Sequence, residues 1–532
     1  MITNVVLSVS IVILLCVVLQ KFSYRLGIPA LIFFMFVGML FGSEGIFKIQ
    51  YDDFSSAEMI CSIALIFIMF QGGFETNWNT AKKYVAKSAM LSTVGVLLTA
   101  IITTVCCHYL LKLSLEESFL IASVLASTDA ASVFAILKSN NLDLKDGTSS
   151  ILEVESGSND PVAYLLTVTA IGIMQTGRVS NVVITIIVQL TVGFLSGIFF
   201  ALLSKYILSK KNAVADGLDT IFIISILMLC YALTDKLGGN AYLSVYLMGL
   251  YLGNSRLNAK GAIIAFFDDL VSLLQMLVFF IIGLLSTPSS MPQTVPLALC
   301  IVMILTFVSR PLMTLLLLTP FGCKIRQCLL ISWAGLRGAS SIVFAITAVS
   351  SGIFLSMDLF HVVFMVSLFS IAIQGALLPT VSKKLDMIDE DPDITRTLSD
   401  YDDSIDFQFT MVKIGSDSSW KDKRISDLDL PSGTRIVMIK RNGKTMAARG
   451  NSIVKENDML VMNVPAYHPS TKERVEELHI SKGHAWIGKS LAEIQMPDNQ
   501  LMIVIIRGDE KIIPDGNTVI EEGDVALIFK GV

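Results

Sequence analysis

Residues 153–161 read EVESGSNDP, and this polar run lies in the middle of a long apolar stretch of the chain. Ionisable side chains are rare inside membrane-spanning helices because hydrocarbon does not solvate charge, and they usually mark the path of an ion. Glu155 and Asn159 are four residues apart, so a helix places them on one face. Ser156 and Asp160 share the adjoining face for the same reason. The run therefore predicts a polar centre buried within a membrane helix.

The composition of the whole chain also indicates a membrane protein. Of its 532 residues, 53% are hydrophobic and 16% are charged, with a mean hydropathy of +0.68. Soluble domains carry roughly 25% charged residues. Thirteen apolar stretches, each close to the roughly 20 residues that span a bilayer, occur before about residue 382. The net charge of −5 excludes a nucleic-acid binder that relies on positive charge.

The basic residues of the connecting loops predict the orientation of these spans. With the amino terminus outside the cell, the loops assigned to the cytoplasm hold sixteen Lys and Arg residues, and the outer loops hold four. Cytoplasmic loops of membrane proteins carry such an excess of positive charge. Because thirteen is an odd number, the carboxyl-terminal part of the chain is predicted to be cytoplasmic.

Two further polar runs interrupt the predicted spans. The fifth span contains ASTDAAS at 126–132, with Asp129 among small and hydroxyl side chains, and the twelfth contains WAGLRGASS at 333–341, with Arg337 between two glycines. A membrane helix can unwind at such a run, which exposes backbone carbonyls as ligands for a cation. We therefore expect interrupted helices at both places.

The two arginines within the spans are predicted to have different roles. A buried arginine needs a counter-charge, because leaving it bare in hydrocarbon costs about 3 kcal/mol or more. Glu155 is the predicted partner of Arg337, with Asn159 as a hydrogen-bond acceptor. Arg310 precedes a proline, and we expect it to cap or pack a helix. Three other acidic residues near the ends of spans are predicted to be interfacial: Glu153, Asp268 and Asp269.

The oxygens of the polar runs indicate the kind of ion. Asp160, Asp129, Thr128 and Ser156 supply carboxylates and hydroxyls, which are hard ligands that suit Na⁺ or K⁺. The eight cysteines all lie at or before Cys328 and the five histidines are scattered, so neither a disulfide framework nor a transition-metal site is predicted. The alternative interpretation is that the polar groups only hold helices together.

An acidic segment follows the last apolar stretch. Between residues 386 and 406 there are nine acidic residues and one basic residue. A segment with so many charged residues buries too little apolar surface to fold. Residues 385–404 are therefore predicted to be a solvated, flexible linker after a membrane domain at 1–384.

The remaining residues contain two copies of one sequence pattern at a fixed offset of 66 residues. The matched pairs include Trp420 with Trp486, Arg441 with Arg507 and Asp458 with Asp524. Each copy predicts a short helix before a proline and then apolar strands separated by turns, so the tail is predicted to be two small α+β modules, 405–465 and 474–532. The predicted elements are helices at 425–429 and 491–494, strands at 435–439, 459–462, 501–506 and 525–529, and turns at Asn442-Gly443 and Gly508-Asp509.

The three polar runs together resemble a known family. The TDA, ESGSNDP and GLRGA motifs, on the fifth, sixth and twelfth spans, resemble the NhaP-type sodium or potassium/proton antiporters over residues 1 to about 382. The resemblance implies an all-α polytopic protein of a bacterial cell membrane, with two inverted repeats, interrupted helices and a homodimer. By motif, the residues implied at the ion are Asp160, Asp129, Thr128 and Ser156, and those implied to support them are Glu155, Asn159 and Arg337, with the last holding the other two.

The two tail copies resemble the RCK-C (TrkA-C) module. This resemblance implies regulation by a small ligand, such as cyclic di-AMP or another nucleotide. No Rossmann-type GxGxxG stands before the copies. A paired scaffold that binds nothing is the alternative. With this tail, the chain resembles the potassium/proton (NhaP2-like) branch of the family.

The predicted function is antiport rather than catalysis. A carboxylate shielded from water holds either one proton or one cation, so a carrier that crosses the membrane only when Asp160 is occupied exchanges the two. Asn159 stands where a second aspartate would admit a second proton, which favours electroneutral one-for-one exchange of K⁺, with Na⁺ as the alternative. A tail-gated potassium channel lacks a TVGYG-like filter run. A membrane aspartyl protease built on Asp129 and Asp160 lacks a Gly-x-Gly-Asp signature.

Overall fold

The chain divides into two units in the computed structural model. The first comprises Met1–Pro392 and the second comprises Asp393–Val532. The structure describes the whole chain except residues 1, 27–28, 77, 79–81, 141, 178–181, 210–217, 256, 258–259, 390–406, 417, 432, 442–443, 466–473, 495, 498–499, 509 and 531–532. The predicted turn at Asn442-Gly443 and most of the predicted linker therefore lie outside the described residues.

The first unit consists of apolar helices. Its helices in the described residues are, in chain order, α1 (Ile2–Leu26), α2 (Ala30–Phe41), α3 (Phe54–Glu75), α4 (Val85–Leu111), α5 (Leu115–Val124), α6 (Ala130–Ser139), α7 (Thr148–Thr176), α8 (Val182–Ser209), α9 (Asp219–Lys236), α10 (Ala241–Gly253), α11 (Lys260–Leu285), α12 (Met291–Phe321), α13 (Ile325–Trp333), α14 (Ala339–Ser350) and α15 (Leu359–Lys384). By length and composition, six helices of the described chain can each cross a membrane: α3, α4, α8, α11, α12 and α15. The predicted all-α membrane fold is confirmed, and the number of thirteen spans stays a prediction.

Side chains fix where several of these helices begin. Before α3, Asp53 accepts hydrogen bonds from the backbone N–H groups of Ser55 and Ser56, each at 3.1 Å. Before α10, Asn240 accepts one from the N–H of Leu243 at 3.0 Å. The first N–H groups of a helix have no acceptor within the helix, so a capping oxygen stabilises that end by about 1 kcal/mol.

Small residues let the helices of this unit approach one another closely. A Cβ atom added to Gly283 of α11 would collide with the carbonyl oxygen of Met35 in α2, and one added to Gly249 of α10 would collide with that of Phe70 in α3. Larger side chains at these two positions would separate the helix backbones. Lipid is as apolar as the helices, so close packing of this kind drives their association.

Two helices are interrupted where the sequence predicts it. α5 ends at Val124 and α6 begins at Ala130, and α13 ends at Trp333 and α14 begins at Ala339. Both predicted interruptions are confirmed. The polar run of the sixth predicted span behaves differently, because α7 continues as a helix through Pro161.

Three of the long helices contain a short π-helical segment. The segments are Leu91–Gly95 in α4, Leu305–Ser309 in α12 and Ser370–Gly375 in α15. A π-helical turn is rare and disturbs the regular backbone hydrogen bonding, and such turns occur frequently at functional sites. None of the three was predicted from the sequence.

The segment that follows α15 packs against the rest of the first unit. Residues 385–389, here called the strap, pair with the loop between α6 and α7. The N–H of Lys145 donates to the carbonyl of Met387, and the N–H of Asp389 donates to that of Asp143, both at 2.9 Å. Met387 is also buried. The prediction of a flexible linker was therefore wrong for the strap, because local pairing outweighs the acidic composition.

Ion pairs surround the strap. Asp386 lies 3.1 Å from the Nζ atom of Lys145 and 3.3 Å from Arg326. The hydrogen bond from Lys145 lowers the pKa of the Asp386 carboxyl. These side chains are exposed, and exposed ion pairs contribute little to stability because water and salt screen them. The backbone hydrogen bonds and the buried Met387 therefore account for most of the attachment.

The second unit contains two four-stranded antiparallel sheets with the same topology. The strands of the first sheet are β1 (Phe407–Lys413), β2 (Arg435–Arg441), β3 (Lys444–Ala447) and β4 (Met459–Pro465), and those of the second are β5 (Arg474–His479), β6 (Gln500–Arg507), β7 (Glu510–Ile512) and β8 (Val525–Lys530). Their spatial orders are β1-β4-β2-β3 and β5-β8-β6-β7. The register shifts between Ile436 and Met438 in one sheet and between Met502 and Val504 in the other. The offset of 66 residues therefore holds in the backbone as well as in the sequence.

The tail differs from its prediction in two ways. The predicted short helices are single 3-10 turns, Ile425–Asp427 and Leu491–Glu493. The edge strands of both sheets, β1, β3, β5 and β7, were not predicted. The turns before the prolines are too short to form α-helices, because the chain must return at once to the next strand.

One ion pair is repeated in both sheets. Arg507 donates two hydrogen bonds to Asp524 at 2.8 Å, and Arg441 donates two to Asp458 at 2.7 Å. Both carboxylates are fully buried. The arginine hydrogen bonds hold the pKa of each aspartate below its ordinary value near 3.8. Because the folded-state pKa is lowered, each pair stabilises its sheet at neutral pH, and this stabilisation is lost as the pH falls through the lowered pKa.

We expect Arg507→Met to loosen the second sheet. The substitution leaves Asp524 as a buried charge without its partner, which destabilises a fold by about 3 kcal/mol or more. Hydrogen exchange of the full-length protein should show lost protection in β6 and β8, with β2 and β4 unchanged. The control is Lys421→Met, which removes a more exposed pair with Glu456, worth at most about 1 kcal/mol. Equal exchange in Arg507→Met and the unsubstituted chain would contradict a stabilising role.

Candidate ion-binding site

The two interrupted helices cross at their breaks. The backbone N–H of Asp129 donates to the carbonyl oxygen of Leu336 at 2.8 Å, which holds the segment between α5 and α6 against the segment between α13 and α14. Residue 338 must be glycine here, because a Cβ atom at Gly338 would collide with the carboxyl group of Asp129. Helix ends within a membrane have backbone groups with neither water nor a helical partner, and the crossing satisfies some of them.

Asp160 of α7 lies at this crossing. Its side chain is 6% exposed. Its carboxylate accepts hydrogen bonds from the hydroxyl of Ser127, in the first break, and from that of Ser340, in α14, the latter at 2.6 Å. Among the described residues, no basic side chain forms an ion pair with it. Asp160 thus joins three elements through neutral partners alone.

Asp129 caps the helix that follows the first break. Its Oδ1 atom accepts from the backbone N–H of Ser132 at 3.2 Å, and its Oδ2 atom accepts from the hydroxyl of the same serine at 2.5 Å. A negative charge at the amino end of α6 also complements the helix dipole. Asp129 lines the same cavity as Asp160, so this cap is also a second carboxylate of the site.

A further set of polar contacts joins α7 to the first break. The hydroxyl of Ser156 donates to the carbonyl of Thr128 at 2.8 Å and accepts from the N–H of Ala130 at 2.9 Å. The amide Nδ2 of Asn159 donates to the Thr128 hydroxyl at 2.5 Å. The Oδ1 atom of Asn159 has no hydrogen-bond partner in the described structure. The structure therefore gathers the four residues predicted at the ion, and Asn159, around one break.

Glu155 and Arg310 form the buried ion pair of this region. The Nη1 atom of Arg310 lies 2.7 Å from Oε1 of Glu155, and the two side chains are 3% and 1% exposed. Arg310 also donates to the carbonyl of Ile331 at 3.2 Å. The predicted pairing of Glu155 with Arg337 was wrong, as was the prediction that Arg310 only caps or packs a helix. Which of two buried arginines reaches Glu155 depends on how distant segments pack, and sequence spacing does not encode that.

Arg337 binds backbone and hydroxyl groups instead. Its guanidinium Nη1 donates to the carbonyl of Ser127 at 2.6 Å, and its backbone N–H donates to the hydroxyl of Ser370 at 3.1 Å. It has no ion-pair partner among the described residues. A positive charge near the carboxyl end of α5 complements the helix dipole. Arg337 therefore holds the serine whose hydroxyl contacts Asp160.

A cavity of about 190 Å³ reaches this centre. The acidic residues that line it are Glu75, Asp129, Glu153 and Asp160. Glu153, which was predicted to be interfacial, thus lines the same cavity as Asp160. The amide of Gln71 donates to Glu75 at 2.7 Å and to Asp268 at 2.5 Å. Within the described chain, no three His, Cys, Asp or Glu side chains gather as they would around a transition metal. The four acidic side chains give the cavity a negative lining, which attracts cations.

Sequence analysis missed several neutral polar residues of the site. Ser127 and Ser340 belong to the polar runs, and their hydroxyls contact Asp160 directly. Ser370 and Gln374 lie in the last apolar stretch, where nothing in the composition marks them. A lone serine or glutamine in a membrane helix forms no motif, so only its contacts show a role.

Two family models match the chain. The model of the transmembrane sodium/hydrogen exchanger matches residues 10–384, and that of the TrkA-C domain matches residues 409–462 and 475–529. The chain belongs to the sodium/hydrogen exchanger family. It is a multi-pass membrane protein with a TrkA-C tail, which confirms both resemblances stated from the sequence. The tail is consistent with the predicted cytoplasmic carboxyl terminus.

Individual relatives agree with this membership. The chain is 32% identical over 462 residues to the K(+)/H(+) antiporter NhaP of Alkalimonas amylolytica, which covers 86% of this chain and 80% of that protein. It is 26% identical over 351 residues to the Na(+)/H(+) antiporter ApNhaP of Aphanothece halophytica, covering 63% and 66%. The structure of the sodium proton antiporter MjNhaP1 from Methanocaldococcus jannaschii matches with a TM-score of 0.63 at 21% identity, covering 72% of this chain and 99% of that one. This last likeness shows a shared fold.

A double-mutant cycle tests which arginine pairs with Glu155. Arg310→Met alone leaves a buried carboxylate without its partner and should destabilise the protein by about 3–5 kcal/mol. Adding Glu155→Gln removes that charge, so the double variant should recover much of the loss. The same cycle with Arg337→Met should give a smaller coupling energy, since only contacting residues couple strongly. Unfolding of the detergent-purified protein measures all five variants, and a larger coupling for Arg337 would refute the observed pairing.

Proposed function

We propose that this chain exchanges K⁺ for H⁺ across a bacterial cell membrane. One observation carries the proposal: Asp160 is buried where the two interrupted helices cross, and among the described residues only neutral hydroxyls contact its carboxylate. A buried carboxylate without a fixed counter-charge is unstable unless a proton or a cation neutralises it. A carrier that moves only when Asp160 is neutralised therefore exchanges one ion for the other.

The charges around Asp160 support an exchange of one K⁺ for one H⁺. Glu155 and Arg310 neutralise each other. Asp129 caps α6, and Asn159, the neighbour of Asp160 in the chain, carries no charge, so we assign the exchange to the single negative charge of Asp160. One proton or one monovalent cation balances that charge. We therefore infer that the exchange is electroneutral.

We assign the ion to the oxygens around the first break. The ligands are the carboxylates of Asp160 and Asp129 with the oxygens of Thr128 and Ser156. Glu155, Asn159 and Arg337 support them, and Arg310 joins this supporting group through its contact with Glu155. Carboxylate, hydroxyl and carbonyl oxygens suit an alkali cation better than a transition metal. Asp129 caps α6, whereas Asp160 joins α7 to the first break and to α14, so we give the exchangeable proton to Asp160.

K⁺ is the proposed cation, and Na⁺ is the alternative. The relative named as a K(+)/H(+) antiporter is 32% identical over most of this chain, whereas the one named as a Na(+)/H(+) antiporter is 26% identical over a shorter part. The same set of oxygens binds either ion, because selection depends on the size and rigidity of the cavity.

We further propose that a small ligand at the TrkA-C tail regulates exchange, with cyclic di-AMP or another nucleotide as the candidate. The strap supports a route for this regulation. It joins the tail to α15, and it is hydrogen-bonded to the loop between α6 and α7. α6 begins directly after Asp129, and α7 carries Asp160. A movement of the strap would therefore move the loop and, with it, both helices of the site.

Asp160→Asn is expected to abolish exchange, because an amide can neither release a proton nor balance a cation. Inside-out vesicles loaded with a pH dye measure this directly. Addition of K⁺ should dequench the dye with the unsubstituted chain and should have no effect with Asp160→Asn. The assay is repeated with Na⁺, and with cyclic di-AMP present and absent. Asp269→Asn, at an acidic position outside the site cavity, is the matched control.

Each outcome of that assay separates one part of the proposal. A response to Na⁺ alone would keep the mechanism and discard K⁺ as the cation. Exchange that is indifferent to cyclic di-AMP would remove this nucleotide as the regulator. If neither cation moves protons under any of these conditions, antiport is refuted and a tail-gated channel must be considered again.

We also propose that the transporter is a homodimer. The support is the resemblance to the NhaP-type antiporters, which implies a homodimer, and α8, of which little is buried within one copy of the chain, offers a surface for it. We expect native mass spectrometry of the protein, released from detergent, to give twice the 58.1 kDa of a single chain. A single-chain mass at all concentrations would contradict the proposal.

A further inference from the structure

Gln374 is a buried amide that caps one of the interrupted helices. It lies in the π-helical segment of α15, and its side chain is 5% exposed. Its Nε2 atom donates to the carbonyl oxygen of Trp333 at 2.6 Å. Trp333 is the last residue of α13, so its carbonyl is one of those that a helix end leaves without a backbone donor. The amide supplies that donor inside the protein.

The other atom of the same amide reaches the interior of the break. Oε1 of Gln374 accepts a hydrogen bond from the hydroxyl of Ser370 at 3.0 Å and lies 3.5 Å from the hydroxyl of Thr306, which belongs to the π-helical segment of α12. The Ser370 hydroxyl in turn accepts the N–H of Arg337 at 3.1 Å. The Gln374 side chain therefore contacts the residue at which the second break starts and, through Ser370, the arginine within that break.

The backbone of Gln374 takes part as well. Gln374 lies where the π-helical segment passes into the α-helical end of α15. Its carbonyl accepts the indole N–H of Trp333 at 3.0 Å. Two reciprocal hydrogen bonds thus join Gln374 to Trp333.

We propose that Gln374 is a positioning residue for ion exchange, an inference that rests on the function proposed above. Contacts run from its amide through Ser370 to Arg337. The Arg337 guanidinium holds the carbonyl of Ser127, and the hydroxyl of Ser127 holds Asp160. Gln374 touches none of the proposed ion ligands. It fixes the second break against the first, and with it the position of the carboxylate.

The experiment compares two buried glutamines. Gln374→Met keeps the shape of the side chain and removes both amide hydrogen bonds. The control is Gln327→Met. Gln327 is equally buried, and its amide donates at 3.1 Å to the carbonyl of Asp146, in the loop before α7. Proteoliposomes holding equal amounts of folded protein give the KM for K⁺, the maximal rate and the pH profile of exchange.

We expect Gln374→Met to raise the KM for K⁺ about tenfold or more and to shift the pH profile, because misplacement by about 1 Å can cost a hundredfold in activity. Gln327→Met should keep the KM and the pH profile of the unsubstituted chain. Ser370→Ala, a smaller change, breaks the link between Gln374 and Arg337 and should raise the KM in the same direction. If Gln374→Met does not fold, Ser370→Ala is the variant that tests the positioning role.

Two results would overturn the positioning role. One is an unchanged KM and pH profile in both Gln374→Met and Ser370→Ala. The other is a lower yield of folded protein with normal KM, which would make Gln374 a structural residue only. Absence of exchange in the unsubstituted chain is a different result, because it refutes the proposed function itself.

Discussion

Two helices end and restart inside the membrane part of this chain, and the backbone groups at those ends have no water to bond. Each such group left unsatisfied costs several kcal/mol in hydrocarbon. In this structure, specific hydrogen-bond partners satisfy backbone groups at these ends. Asp129 caps α6, and its N–H bonds to the carbonyl of Leu336 in the opposite break. Arg337 and Gln374 hold the carbonyls that follow α5 and end α13. The contacts that form the site are therefore the same contacts that satisfy the backbone groups at the helix ends.

The placement of the arginines follows from this constraint. An ion pair between Glu155 and Arg310 lies beside the crossing, and its two charges neutralise each other. Arg337 is left to hold the Ser127 carbonyl, and it forms no ion pair among the described residues. Had Arg337 paired with Glu155, this carbonyl would have lost its guanidinium donor. The observed pairing leaves Asp160 with hydroxyl partners alone within the described structure.

The sequence predicted those parts of the fold that local chemistry determines. Small residues around Asp129 and Arg337 predicted the two breaks, and the 66-residue repeat predicted two matching tail modules. The pairing of Glu155 with Arg310 joins residues 155 positions apart, so it depends on packing that no local pattern encodes. Gln374 was missed for a different reason: its role depends on a π-helical turn that no sequence motif marks. The acidic composition of the strap predicted a flexible segment, although two backbone hydrogen bonds hold it to the loop between α6 and α7.

The strap also holds the loop that joins the two helices of the site. Leu144 of the loop and Met387 of the strap are buried in one apolar cluster with Val133 of α6 and Ile151 of α7. Pulling the strap away would expose these side chains and break the two backbone hydrogen bonds, so the loop resists separation and moves with it. The loop joins α6 to α7, and these helices carry the ligands proposed for the ion. The regulation proposed for the tail therefore has a described path to the site, from the strap through this loop to α6 and α7.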